Sequence, residues 1–346
     1  MTVLYIREQG AQITRKHEQI RVRHKDKIIS QTPVRELDQV IIYGNVQIST
    51  QAAALLTLHS VDVLFYSTTG RFRYRLQRGG SRYARLRQTQ LRVADDTARS
   101  LDIARSVVAG KLKNQMRLMD IWAAGVKPSK RHLVRQARQN LNNILRQCSH
   151  AGTADQLRGY EGGAATLYFT AMRRLIPSSW GFQQRAYYPP PDPWNAVLSF
   201  GYSLLMKDVL AAIELIGLDP YVGFFHALEA NRPSLALDLM EPLRPMVDDA
   251  MLRLMLSGKL PLSSFRIRPD ARRPVELGKK LLPIVIEGYE TALKNLQSGQ
   301  SGVTPGRSVL TSQVRQFASV LLDKRNRYKP VELKFKPFPK SSRQMA

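Results

Sequence analysis

Apolar positions in the first 76 residues come in short runs. Val3-Leu4-Tyr5-Ile6 opens, residues 12–16 and 19–23 follow with partial alternation, and Val40-Ile41-Ile42-Tyr43 stops at the turn pair Gly44-Asn45. Residues 50–58 fit a short helix, with Ser49 as its cap and Ala52, Leu55 and Leu56 on one face. Residues 61–65 form another buried strand. Arg71-Phe72-Arg73-Tyr74-Arg75-Leu76 alternates strictly, arginines on one face and apolar groups on the other. After Arg78-Gly79-Gly80, which has the composition of a hinge, the spacing turns helical. In residues 131–148, Val134, Ala137, Leu141, Ile144 and Cys148 share a face while Arg131, Arg135 and Arg138 point elsewhere. Helical spacing recurs at 97–122, 164–175, 194–215 and 248–257, and Pro189-Pro190-Pro191 breaks the chain between two of these.

The pattern predicts an α+β chain: a small β-rich N-terminal domain (1–76), a hinge (77–84), a larger all-α domain (85–323) and a basic tail (324–346). The tail holds eight basic residues against one acid, and its prolines oppose helix, so it reads as loosely ordered.

Composition narrows the class. With 43% apolar residues in 346, the chain can bury a sizeable core. A single cysteine, Cys148, excludes an internal disulfide and any cysteine-built zinc cluster, and fits a reducing compartment. The first thirty residues carry charges throughout and lack an apolar signal core, which predicts a cytoplasmic protein. The uncharged stretch at residues 193–206 is too short to span a bilayer and predicts a buried helix. The loudest signal is charge: 53 Lys and Arg against 27 Asp and Glu, a net +26. A polyanion relieves such self-repulsion, and nucleic acid is the expected one; no membrane-binding helix competes for that reading.

Three segments carry candidate chemistry. Glu161 lies in Gly159-Tyr160-Glu161-Gly162-Gly163, just ahead of a predicted helix, where small neighbours allow close approach of a ligand. His226 ends Asp219-Pro220-Tyr221-Val222-Gly223-Phe224-Phe225-His226. Asp238 and Glu241 share a helix face beside Leu237, Met240 and Leu243, and Pro242 and Pro245 must kink or end that helix. Each has a structural alternative: Glu161 as an acid at a helix N-terminus, His226 as a satisfied core group, Asp238 and Glu241 as salt-bridge partners of Arg244. Together they are hard oxygen donors plus one imidazole with no thiolate, a set suited to Mg2+ or Mn2+. In a basic protein this predicts a metal-dependent nuclease or transferase on a phosphate polymer.

These segments, in this order, together with Asn195-Ala196-Val197-Leu198-Ser199-Phe200-Gly201-Tyr202 and Tyr43-Gly44-Asn45-Val46-Gln47-Ile48-Ser49, resemble the spacer-acquisition integrase family of CRISPR adaptation. The likeness covers nearly the whole chain and weakens past Arg325. It implies a metal held by Glu161, His226 and Glu241, with Asp238 supporting them and Arg244 able to meet a phosphate. It implies transesterification, in which the 3′-hydroxyl of a short DNA fragment attacks a phosphodiester at the edge of a CRISPR repeat. It further implies a homodimer joined largely through the N-terminal domains, and a 4:2 complex with a small second CRISPR adaptation protein.

Arg71, Arg73, Arg75, Arg78, Arg82, Arg85, Arg87 and Arg92, with Tyr74 and Tyr83 interleaved, form a basic cluster expected to position DNA through its phosphates, the alternative being a solvated face. Two other readings stay open: a stand-alone metal nuclease, and a non-catalytic nucleic-acid clamp whose acids are structural.

Overall fold

β-Branched and aromatic residues dominate the N-terminal segment, and they pair into two four-stranded sheets. The computed structural model describes residues 3–25, 27–68, 72–76, 83–186, 189–268, 274–297 and 305–338. The chain divides into two units, Met1–Arg85 and Leu86–Ala346.

In the first unit, β1 (Val3–Ile6), β5 (Gln39–Tyr43) and β7 (Asp62–Tyr66) run parallel, and β8 (Phe72–Leu76) closes the order β1-β5-β7-β8 antiparallel to β7. The second sheet has the order β4-β3-β2-β6, from β2 (Gln12–Lys16), β3 (Gln19–His24), β4 (Lys27–Pro33) and β6 (Gln47–Ile48). Ile13, Ile20 and Val22 from this sheet join Ile6, Val40, Ile42, Val63 and Phe65 from the first in one core. Helix α1 (Thr50–Leu58) adds Ala52, Leu55 and Leu56 to it, and the Ser49 side chain accepts the Ala52 N–H at its start.

The second unit is helical: α2 (Ala84–Asp95, which begins at the boundary), α3 (Thr97–Gly125), α4 (Pro128–Ser149), α5 (Ala154–Arg173), α6 (Pro193–Ile216), α7 (Ser234–Met240), α8 (Arg244–Leu256), α9 (Leu281–Lys294) and α10 (Arg307–Leu321). Between α8 and α9 sits a small antiparallel hairpin, β9 (Phe265–Ile267) with β10 (Val275–Leu277), which the hydropathy pattern does not announce. Trp122, Tyr168, Trp194, Tyr289 and Phe317 are fully buried in its core.

Three expectations need correction. Glu161 does not precede a helix but lies inside α5, which starts seven residues earlier at Ala154, after a cap at which the Thr153 side chain accepts the Gln156 N–H. Helix α6 is 24 residues long, enough to cross a membrane, so the argument from length fails. Its burial is what marks it as a core helix, since 61% of its most apolar window lies inside the fold. The basic segment after α10 is not loose up to residue 338. Tyr328, Val331, Leu333 and Phe338 enter the helical core, and Arg253 lies over the Phe338 ring at 4.5 Å. Of the hinge, residues 77–82 lie outside the described residues.

Candidate functional site

Helix α3 is buried along one face through Ala104, Val107, Val108, Leu112, Gln115 and Met119. The same helical phase places Lys111 inward, and it is 8% exposed. An ammonium buried there needs counter-charge. It receives two carboxylates: Glu161 Oε1 from α5 accepts a hydrogen bond from Lys111 Nζ, and Glu241 Oε2 lies 2.6 Å from the same nitrogen.

Glu241 owes its position to proline. Pro242 interrupts the path from α7 to α8, and residues Glu241–Leu243 make a 3-10 turn. That turn lays Arg244 beside Glu241, with Nε donating to Oε1 at 2.8 Å. Arg244 also lies over the Tyr202 ring at 4.7 Å. Asn114, one turn beyond Lys111 and fully buried, fixes the turn from behind: its Nδ2 donates to the carbonyls of Pro242 (2.7 Å) and Val331 (2.9 Å), while its Oδ1 accepts the Leu333 N–H (3.0 Å). The C-terminal segment is thus part of the wall that holds Glu241.

His226 is set by Asp238. The Asp238 carboxylate is wholly buried and accepts the backbone N–H groups of Phe224 (2.6 Å), Phe225 (3.0 Å) and His226 (3.0 Å). It also meets His226 Nδ1 at 2.7 Å, which leaves Nε2 turned toward Glu241, 4.0 Å from Oε1. The loop closes this tightly because residue 223 is glycine: a Cβ there would lie 2.7 Å from Ser234 Cβ, 2.8 Å from the Ser234 carbonyl carbon and 3.0 Å from Asp238 Oδ2. Gln90 clamps the start of the loop, and Arg158 of α5 donates to the Phe225 carbonyl at 3.1 Å.

The electrostatics follow from burial. Desolvation opposes the charge on Glu241, but Arg244, Lys111 and His226 outweigh it and hold the carboxyl well below its ordinary range. Desolvation likewise works against the Lys111 ammonium, and Glu241 and Glu161 together raise it above the usual lysine value.

Behind Tyr202 lies Asp248, which accepts the hydroxyls of Tyr168 (2.8 Å) and Tyr202 (2.5 Å). Burial pushes it up to about 6 against those hydrogen bonds and the charges of Arg244 and Arg185. A carboxyl raised in the folded state adds stability that is complete below its unfolded value of 3.8 and is lost as pH rises through about 6. The difference amounts to about 3 kcal/mol. Asp248→Asn is therefore expected to flatten that stretch of the stability curve. Urea midpoints at pH 4.5 and 7.5 measure this, and an unchanged slope would refute it.

The predicted residues do not all converge. Glu161, His226, Asp238, Glu241 and Arg244 come together around Lys111, which the sequence reading did not single out. Its one local signal is a lysine on the apolar face of a helix, which does not say which carboxylates it meets. As placed, no three His, Cys, Asp or Glu side chains among the described residues are grouped to hold a metal. The donors nevertheless fit a hard divalent cation. Glu241 Oε2 is buried and takes no hydrogen bond among the described residues, only the opposite charge of Lys111. The imidazole is oriented by a carboxylate, as metal-ligating histidines commonly are.

Arg75, expected among the DNA contacts, is instead tied to Asp62 Oδ1 at 2.8 Å with its side chain only 5% exposed, because its place in β8 pairs it beside β7. Arg73 and Arg85 are exposed; Arg71, Arg78 and Arg82 lie outside the described residues.

Comparison with known proteins bears on the family and the fold. The family model described as CRISPR associated protein Cas1 matches residues 4–291. A CRISPR-associated endonuclease Cas1 of Thermus thermophilus is 32% identical over 331 residues, covering 95% of this chain and 99% of its own. Among solved structures, a casposase bound to integration product superposes with TM-score 0.73 at 21% identity, covering 97% of this chain and 95% of that one. A chain of a partial Cas6-RT-Cas1–Cas2 complex gives TM-score 0.73 at 22% identity, covering 97% and 99%. A family match over residues 4–291, with 32% identity across nearly the whole of the Thermus thermophilus relative, leads to one assignment: the chain belongs to the Cas1 family of CRISPR-associated proteins.

Proposed function

We propose that the cluster around Glu161, His226 and Glu241 is the centre at which this protein, a DNA endonuclease and integrase of CRISPR adaptation, joins short DNA fragments to the CRISPR repeat. The observation that carries the assignment of the site is the convergence of two carboxylates from distant helices on one buried cationic position, with a carboxylate-oriented imidazole beside them.

Glu161, Glu241 and His226 Nε2 would hold a magnesium or manganese ion, which when bound supplies Lewis-acid stabilisation of charge on a phosphodiester oxygen. Asp238 keeps the imidazole on the tautomer that leaves Nε2 free to ligate. Arg244 balances Glu241 and, at 16% side-chain exposure, offers its remaining guanidinium N–H groups to a phosphate oxygen. The glycines around Glu161 serve access. Three glycines in one helix cost about 1 kcal/mol each relative to alanine, yet a Cβ at Gly159 or Gly162 would meet nothing within 4 Å, so packing does not demand them. They leave open surface beside the carboxylate.

The net charge of +26 and the names of the similar structures, a Cas1-DNA complex and a partial Cas6-RT-Cas1–Cas2 complex, support DNA and a Cas2-type protein as partners; the cytoplasm as the place of action, a homodimer and a 4:2 assembly belong to the proposal. Arg73, Arg85 and Arg92, all exposed, remain the described candidates from the basic cluster for backbone contacts, Arg87 being tied to the Gly217 carbonyl.

The test supplies the protein and its Cas2-type partner with a supercoiled repeat plasmid and a labelled fragment in Mg2+ or Mn2+. Label is expected to enter the plasmid only when the fragment ends in a 3′-hydroxyl. Nicking without label transfer would favour a stand-alone nuclease, and binding without either product would favour a clamp.

A further inference from the structure

Lys111 stands where a cation is wanted. Its ammonium touches both Glu161 and Glu241, and it alone among the site's basic residues does so. Lys111 and Arg244 balance the two carboxylates. A divalent ion added to that set would leave an excess of two positive charges in a largely buried place, where uncompensated charge is costly. One cationic group must therefore withdraw. Arg244 is ill-suited to leave, because its planar guanidinium is fixed both by Glu241 Oε1 and by the Tyr202 ring. Lysine is a point charge on a flexible four-carbon stem and can swing away with no movement of α3. Of the two contacts it would surrender, one is a hydrogen bond to Glu161 Oε1, while Glu241 Oε2 faces the ammonium outside hydrogen-bond geometry.

We infer that Lys111 is an internal occupant of the cation seat: its ammonium and a divalent ion compete for the Glu161–Glu241 pair, and Lys111 releases the pair when the ion enters. This rests on the metal reading of the site given above. Lys111 thus keeps the buried Glu241 and the partly buried Glu161 neutralised in the metal-free protein and sets the affinity with which they take an ion. A lysine with a purely structural role would act in the opposite sense, since its loss would disorder the pair and weaken ion binding.

The experiment is a calorimetric titration of Mn2+ into the DNA-free full-length protein, with thermal unfolding followed in EDTA and in Mn2+. Lys111→Met is expected to bind Mn2+ at least about tenfold more tightly than the unaltered protein. It is also expected to melt lower in EDTA and to regain more of its melting temperature on Mn2+ addition. Lys111→Gln, which keeps length and polarity, should behave the same way and covers the case in which the methionine variant fails to fold. Glu161→Gln identifies the heat that belongs to the pair. If the unaltered protein binds through the pair and neither Lys111 variant binds more tightly, the competition is refuted while the metal site stands. If neither the unaltered protein nor the variants bind Mn2+, the metal reading of the site falls, and the inference with it. Binding by the variants alone would support both.

Discussion

Glu161→Gln is expected to lower strand transfer roughly a thousandfold while leaving DNA affinity within about threefold. The substitution keeps size and shape on α5. Glu161 is the more exposed of the two acids at Lys111, with 20% of its side chain accessible against 4% for Glu241, so its neutralisation leaves the Lys111–Glu241 contact intact and the fold in place. What it removes is half the anionic charge available to a metal. Charge stabilisation by a bound ion contributes several kcal/mol to phosphoryl chemistry, and about 4 kcal/mol corresponds to about three powers of ten in rate. DNA binding draws instead on basic residues spread over the surface. Single-turnover transfer of a labelled fragment and a binding isotherm at the same salt separate the two. A parallel loss of both would return Glu161 to a structural role.

Much of the fold was legible because it is written in short-range pattern. Helix α1 and its Ser49 cap follow from one polar residue ahead of an apolar face. The parallel strands β5 and β7 are apolar runs because both carry mostly buried residues. Strand β4 escaped notice for the opposite reason: most of its residues are exposed, so it shows no alternation to read. The start of α5 was misplaced because Gly159, Gly162 and Gly163 argue locally against helix. Leu157, Ala164, Tyr168, Ala171 and Met172 bury a continuous face that overrides them.

The site was half legible. Acid and imidazole chemistry could be picked out by residue type, and Asp238 by its spacing from Glu241. Two features needed the third dimension. Lys111 is one basic residue among 53 and declares itself only through the helical phase of α3. The C-terminal segment reads locally as a charged, proline-broken tail. Its order comes from Asn114 and Gln316, which bind its backbone at Val331, Leu333 and Lys329 across long sequence separations that no local pattern records.

Glu241→Gln is expected to lower stability by about 3–5 kcal/mol, the range for breaking a buried ion pair from one side. In a unit of this size that is roughly 6–20 °C of melting temperature. Glu241 is 3% exposed and, among the described residues, is the only carboxylate paired with Arg244, whereas Lys111 retains Glu161. Glutamine can accept the Arg244 hydrogen bond but cannot neutralise the guanidinium. The pH dependence gives an internal check. A carboxyl held below its ordinary 4.5 in the folded state adds stability that is present above that value and is lost as pH falls below it. The gap between the unaltered protein and Glu241→Gln should therefore be full at pH 7 and shrink as the medium is acidified below about 4.5. Adding Lys111→Met should cost less in the Glu241→Gln background than alone, because the two share one contact and their effects cannot add. Equal melting temperatures at pH 7, or a gap that widens in acid, would mean that Glu241 is not held by its two cations, and the electrostatic account of the site would have to be abandoned.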